Sequence, residues 1–132
     1  QKRHVALLKD YAGVIAHMDG HAALLRPRFA AVLDTLEREL AGTGMGSWSR
    51  PCGGYFVSFD TRPGLAKEVV RLAAEAGVKL TPAGATFPYG KDPADSNIRI
   101  APSFPTQAEI ERAMEVFVVC VKLASVRQKL AA

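Results

Sequence analysis

The stretch Asn97-Ile98-Arg99-Ile100-Ala101-Pro102-Ser103-Phe104-Pro105 has the pattern of a short strand that ends at proline. Side chains alternate along a strand, so Ile98 and Ile100 point to one side and Arg99 points to the other. The isoleucines can then face a core. Pro102 cannot donate to a strand ladder and ends the strand. Arg99 is left as a planar, permanently charged fork that suits a carboxylate, although a surface salt bridge is the commoner role for a strand arginine.

Helix and strand signals lie on both sides of this strand. Apolar residues recur at helical spacing over four segments, 2–18, 26–41, 65–76 and 106–129. Asp19-Gly20 predicts a break after the first helix, and Pro27 suits the first turn of the second. Residues typical of strands predict two further strands, over 55–59 and 78–81.

The order of these elements predicts an α+β fold. We expect a small sheet of three to four strands, largely antiparallel, covered by helices and preceded by N-terminal helices. Thr106 and Glu109 have the spacing of a capping box at the start of the last helix. This is enough structure for one domain, since 132 residues can bury a hydrophobic core.

Composition excludes several classes of function. The net charge of +4 comes from lysines and arginines scattered among acids, so we expect no nucleic-acid partner. No apolar run approaches the roughly 20 residues that cross a bilayer, and no secretory signal is visible. We therefore expect a cytoplasmic protein that does not associate with a membrane. Cys52 and Cys120 are interpreted as reduced thiols. His17 and His21 have a metal-compatible spacing, but solvated or packing histidines are the favoured interpretation and no metal is predicted.

Three segments, in this order and at this spacing, resemble the C-terminal small domain of class I and II aminotransferases, which are fold-type I enzymes. They are Pro51-Cys52-Gly53-Gly54-Tyr55-Phe56, Leu80-Thr81-Pro82-Ala83-Gly84-Ala85-Thr86-Phe87 and Asn97-Ile98-Arg99-Ile100-Ala101. The stretch His21–Phe29 extends the resemblance over most of the chain. The sequence of these segments is most similar to a bacterial aspartate aminotransferase branch that is often grouped with MocR-like proteins.

The resemblance implies a substrate-binding role for four residues. In the family, the arginine at the position of Arg99 holds the α-carboxylate of the substrate, and Asn97 belongs to the same motif. Gly53 and Gly54 would line the same cleft, together with the loop 82–87. From the residues alone, the paired glycines fit either a close approach to a ligand or a tight turn.

The resemblance also implies pyridoxal 5'-phosphate as cofactor, amino-acid and 2-oxo-acid substrates, and a homodimer. The family's cofactor-binding lysine and its other cofactor contacts lie in a large domain, and no lysine of this sequence occupies the family's lysine motif. We therefore expect no catalytic and no cofactor-binding residue here, and no activity from this chain alone. Because Gln1 enters a helical pattern almost at once, we expect a piece of a longer protein. Residues 1–20 would pack on or link to the large domain, and residues 21–132 would form the small domain.

Two other functions stay open. MocR-type transcription regulators carry an aminotransferase-like domain behind a DNA-binding domain, and this chain could be such an effector-binding domain. A free-standing interaction domain is the third hypothesis. The sequence upstream of Gln1 separates them, because a basic helix-turn-helix would favour the regulator and a large α/β domain would favour the enzyme.

Overall fold

The computed structural model describes residues 1–131, which form an antiparallel sheet and the helices that cover it. The α+β fold predicted from the sequence is confirmed. In chain order the elements are α1 (Lys2–Leu8), α2 (Tyr11–Leu40), β1 (Gly46–Trp48), β2 (Val57–Thr61), α3 (Ala66–Glu75), a short 3-10 turn (Pro88–Gly90), β3 (Asn97–Ile100) and α4 (Gln107–Ala131).

The sheet has three strands in the order β1-β2-β3, and both pairs are antiparallel. Phe59 is the centre of its register, since it stands opposite Trp48 on one side and Ile98 on the other. One side of the sheet is apolar, and its residues alternate along the strands with polar ones that point to the other side. We call this side the apolar face, formed by Trp48, Val57, Phe59, Ile98 and Ile100.

The core lies between the apolar face and the helices. Phe59 stacks on Trp48 and meets the ring of Phe117 in α4 edge to face, with ring centroids 5.1 Å apart in the second pair. The C-terminal half of α2 and one side of α3 complete the layer. The largest fully buried side chains include Val32, Leu36, Leu40, Val57, Phe59, Val69, Ile98, Phe117 and Val121.

The N-terminal helices differ from the prediction. The chain bends at Lys9 and Asp10, and α2 then runs unbroken for 30 residues through Asp19-Gly20 and Pro27. Asp10 caps this helix, since its carboxylate accepts from the backbone N–H of Gly13 at 2.8 Å. The predicted break at Asp19-Gly20 and the predicted start near Pro27 are both wrong. A helix tolerates an interior glycine at about 1 kcal/mol, and at Pro27 it continues without the one hydrogen bond that proline cannot donate.

The strand predicted over 78–81 is also wrong. Gly77 takes a positive φ of 86° at the end of α3, and the N–H of Val78 donates back to the carbonyl of Ala73. This bond ties the segment to α3, and it lies beside the core without joining the sheet. The third strand is β1 instead, a three-residue strand that the sequence analysis missed. The strand predicted over 55–59 exists but is displaced to Val57–Thr61.

The last helix begins as predicted. The Thr106 hydroxyl accepts from the N–H of Glu109 at 3.3 Å, and the Glu109 carboxylate accepts from the N–H of Thr106 at 2.8 Å. This reciprocal pair confirms the capping box. Within residues 1–131, no helix is both long and apolar enough to cross a membrane.

Candidate functional site

The side of the sheet opposite the core is polar, and it carries the arginine singled out in the sequence. Strand alternation puts Ser58 opposite Arg99 and Asp60 opposite Asn97 on this side. We call it the polar face, formed by Ser47, Ser58, Asp60, Asn97 and Arg99. Two of the four predicted site residues, Asn97 and Arg99, therefore lie together on one surface.

Asn97 is the centre of a hydrogen-bond network on the polar face. Its side-chain amide donates to the Ser58 hydroxyl at 2.9 Å and to the Asp60 carboxylate at 2.8 Å. Its carbonyl oxygen accepts from the Thr86 hydroxyl at 2.6 Å. Asn97 is buried, and both of its amide hydrogens have partners inside the protein. The network fixes Asn97 and fastens the loop 82–91 to the sheet.

Arg99 has a different environment from its neighbours. The guanidinium carbon lies 4.4 Å from the centre of the Phe56 ring, which is a cation–π contact. The buried Nε has no hydrogen-bond partner among the described residues. None of the ion pairs within residues 1–131 includes Arg99. A charged group that is partly buried without a counter-ion is costly unless something else pairs with it, so an anion is the chemical complement of this site.

The turn before β3 is built on Asp92. The carboxylate of Asp92 accepts from the backbone N–H groups of Asn97 and Ser96, both at 2.8 Å, and of Ala94 at 2.9 Å. These hydrogen bonds hold the pKa of Asp92 below its usual value, and the bond from Asn97 has the largest effect. The anchored turn sets where β3 begins and so places Asn97 and Arg99.

A second anchor fixes the far end of β3. The Arg28 guanidinium, on α2, donates to the carbonyl of Ser103 at 2.5 Å. The segment between Ile100 and α4 is thereby attached to α2. Arg99 thus sits on a strand that is held at both ends, as a binding group requires if it is to be pre-oriented.

Gly53 and Gly54, the other two predicted site residues, lie in the loop between β1 and β2. There they form one wall of a groove of about 770 Å³, and the middle of α2, including Phe29, forms the other. Arg99 and Asn97 are not part of this wall. The connection between the two places is short, because only Tyr55 separates Gly54 from Phe56, the residue under Arg99.

The lysines of this chain lie outside the candidate site. Six of the seven lysines are exposed and away from the groove, and Lys122 is paired with Glu39 at 2.7 Å. Cys52 and Cys120 are both free, and burial raises the pKa of the Cys120 thiol. No group of three metal-ligating side chains is found within residues 1–131. The polar face can therefore bind and orient a carboxylate, but it offers no lysine to carry a cofactor.

Sequence reasoning missed the partners of the predicted residues. Phe56, Ser58 and Asp60 alternate along one strand, and Asp92 precedes β3 by a turn. Phe56 and Ser58 had a signal, because a strand predicted over 55–59 places both on one face. The sequence did not indicate which strand these residues pair with or in what register.

Known proteins resemble this chain throughout its length. The family model described as aspartate amino-transferase matches residues 1–132. An aspartate aminotransferase of Corynebacterium glutamicum is 46% identical over 125 residues, which is 95% of this chain and 29% of that protein. A relative from Mycolicibacterium smegmatis, also named as an aminotransferase, shows the same identity and coverage.

Solved structures agree with this match. The crystal structure of an aspartate transaminase from Corynebacterium glutamicum has a TM-score of 0.92 and 45% identity, over 95% of this chain and 30% of that one. An α-aminoadipate aminotransferase of Thermus thermophilus shares the fold, with a TM-score of 0.75 at 24% identity, over 92% of this chain and 30% of that one. This chain thus spans under a third of the length of these relatives.

Proposed function

The chain belongs to the aspartate aminotransferase family, and we propose that it is the part of a pyridoxal-phosphate-dependent aminotransferase that holds the substrate by its carboxylate. The intact protein would transfer an amino group between an amino acid, aspartate-like or similar, and a 2-oxo acid. It would act as a homodimer in the cytoplasm, as the family resemblance implies. The observation that supports this most is the guanidinium of Arg99 on the polar face, which forms no ion pair with the other residues of 1–131 and whose buried Nε has no partner there.

The proposed role of Arg99 follows from what the two substrates share. An amino acid and a 2-oxo acid both carry a carboxylate bonded directly to the reacting carbon. An arginine binds such a group through two parallel N–H···O bonds, which fix its orientation as well as its position. A single pre-oriented arginine therefore serves both directions of the transfer, and it holds the reacting carbon at a constant place.

The cofactor chemistry is assigned to the rest of the protein. Pyridoxal phosphate, when bound, supplies an electron sink for reactions at the α-carbon. No lysine of this chain lies at the groove or on the polar face. We therefore expect the chain alone to be inactive, with substrate binding as the one step that its residues carry out. Gly53 and Gly54 would border the bound substrate, since their loop leads directly into Phe56.

The test is substitution of Arg99 in the intact protein. Arg99→Ala should lower kcat/KM for all amino-acid substrates by about ten- to a hundredfold, because it removes the charge-assisted hydrogen bonds to the substrate carboxylate. Arg99→Lys should restore part of the loss, since lysine keeps the charge without the fork. Arg112→Ala, an exposed arginine on α4, is the matched control and should change nothing.

Two results would contradict the proposal. Unchanged kinetics in Arg99→Ala would reduce Arg99 to a structural residue. An intact protein that binds amino acids through Arg99 but does not transaminate would favour the effector-binding domain of a transcription regulator. The spectrum of bound cofactor should stay the same in Arg99→Ala, because the cofactor contacts are assigned elsewhere.

A further inference from the structure

Arg99 lies close to an acidic side chain and does not pair with it. Ser58 is directly opposite Arg99, and Asp60 is two residues further along the same face of β2. Diagonal neighbours of this kind are about 7–8 Å apart at the backbone, within reach of a long side chain such as arginine. Opposite charges at this separation attract each other. Yet the ion pairs found within residues 1–131 do not include Asp60 with Arg99.

Asn97 accounts for the missing pair. Its amide donates to Asp60 at 2.8 Å, and its carbonyl is held in turn by the Thr86 hydroxyl. Asn97 is buried, so it cannot turn away and release the carboxylate without losing three hydrogen bonds. The Asp60 carboxylate is therefore held toward Asn97 and away from Arg99.

Phe56 accounts for the position of the guanidinium. Val57 stands opposite Ile100, so Phe56 lies just beyond the end of the pairing, on the same face as Ser58 and diagonal to Arg99. The guanidinium carbon lies over the ring, 4.4 Å from its centre. A cation–π contact of this kind uses no N–H group, so the donors in the plane stay free for an anion.

We propose that Phe56 and Asn97 are positioning residues for Arg99: Phe56 holds its guanidinium in place over the ring, and Asn97 withholds Asp60 from it. The proposal rests on the function of Arg99 proposed above. It explains why one polar face holds a carboxylate and an arginine side by side without an internal salt bridge. An arginine already paired with Asp60 would have to break that pair before it could bind a substrate carboxylate.

The first test removes the ring in the intact protein. Phe56→Leu keeps an apolar side chain of similar reach but no π face, and should raise KM for amino-acid substrates about fivefold with a smaller change in kcat. Calorimetric titration with 2-oxoglutarate should show a similar loss of affinity. Phe56→Tyr should restore both values to within about twofold, because the ring is kept. Phe104→Leu, at an exposed phenylalanine after β3, is the matched control.

The second test uses the acid. Asn97→Ala should release Asp60 and weaken 2-oxoglutarate binding about tenfold, and adding Asp60→Asn to this variant should restore most of it. Asp60→Asn alone completes the double-mutant cycle. Circular dichroism and thermal unfolding report whether Asn97→Ala is folded. If it is not, Asp60→Glu in the presence of Asn97 tests the same idea, since a longer acid that reaches Arg99 should weaken binding severalfold.

Two outcomes would overturn the proposal: normal binding in Phe56→Leu, or a double variant as weak as Asn97→Ala alone. Both are read against Arg99→Ala in the same assay. If Arg99→Ala is itself without effect, the proposed function fails. If Arg99→Ala is strongly impaired and these variants are not, only the positioning role fails.

Discussion

The two halves of α2 are continuous in backbone but differ in what surrounds them. The C-terminal half contributes Val32, Leu36 and Leu40 to the core and packs along α4. Toward the N-terminus, no residue before Val32 is buried, and apolar side chains such as Leu24 are mostly exposed. The comparison shows that helical structure and contribution to stability are separate properties, because most helix stability in proteins comes from packing of one face.

The largest difference should appear in a matched pair of substitutions on this helix. Leu36→Ala removes a fully buried side chain and should lower the free energy of unfolding of the 132-residue chain by about 3–5 kcal/mol. Leu24→Ala makes the same chemical change at a side chain that is 67% exposed, and should alter the free energy of unfolding by less than about 0.5 kcal/mol. Urea unfolding followed by circular dichroism measures both. Equal losses at the two positions would show that the halves are one cooperative unit.

A smaller contrast is expected between the two helix caps. Thr106→Ala removes the cap of α4, which lies against the core, and should lower the free energy of unfolding by about 1 kcal/mol. Asp10→Ala removes the cap of α2 at its exposed end and should leave global unfolding unchanged. It should instead speed hydrogen exchange of the amides of residues 12–20. A global effect of Asp10→Ala as large as that of Thr106→Ala would contradict the distinction drawn between the halves.

The smallest effect concerns the ion pair that joins the packed half of α2 to α4. The hydrogen bond from Lys122 lowers the pKa of Glu39. A lowered pKa in the folded state adds stability above the pKa of the unfolded chain, and this is lost as pH falls through the folded value. The melting temperature of Glu39→Gln should therefore drop less than that of the unchanged chain between about pH 6 and about pH 3. Glu115 is an exposed acid on α4 with no ion pair to the described residues, and Glu115→Gln should behave like the unchanged chain.

The sequence predicted the features that depend on local pattern. The alternation around Arg99, the capping box at Thr106 and the apolar faces of α3 and α4 all appear in the structure, because each is set by residues a few positions apart. The candidate site was predicted in part on the same ground. The motif around Arg99 and Asn97 located the polar face, and the resemblance supplied its proposed ligand.

The features that the sequence did not predict depend on distant partners. The edge strand β1 has only three residues, and it pairs with β2 at the position where Trp48 stacks on Phe59. The contact of Phe56 with Arg99 requires the register of β2 against β3, which no local pattern specifies. The division of the chain at residue 20 stays a prediction.

Pro27 affects how the long helix α2 unfolds, although the backbone is helical on both sides of it. Proline has no N–H, so the carbonyl of Ala23 loses its partner four residues on, and one link in the helical ladder is missing. Helix formation spreads by adding one such link at a time, and a gap weakens the coupling between the segments on either side. Fraying that starts at the free end would thus tend to stop near Pro27, a few residues short of Val32. We therefore expect residues 11–26 to fray and re-form more readily than the remainder of α2, which Val32, Leu36 and Leu40 anchor in the core.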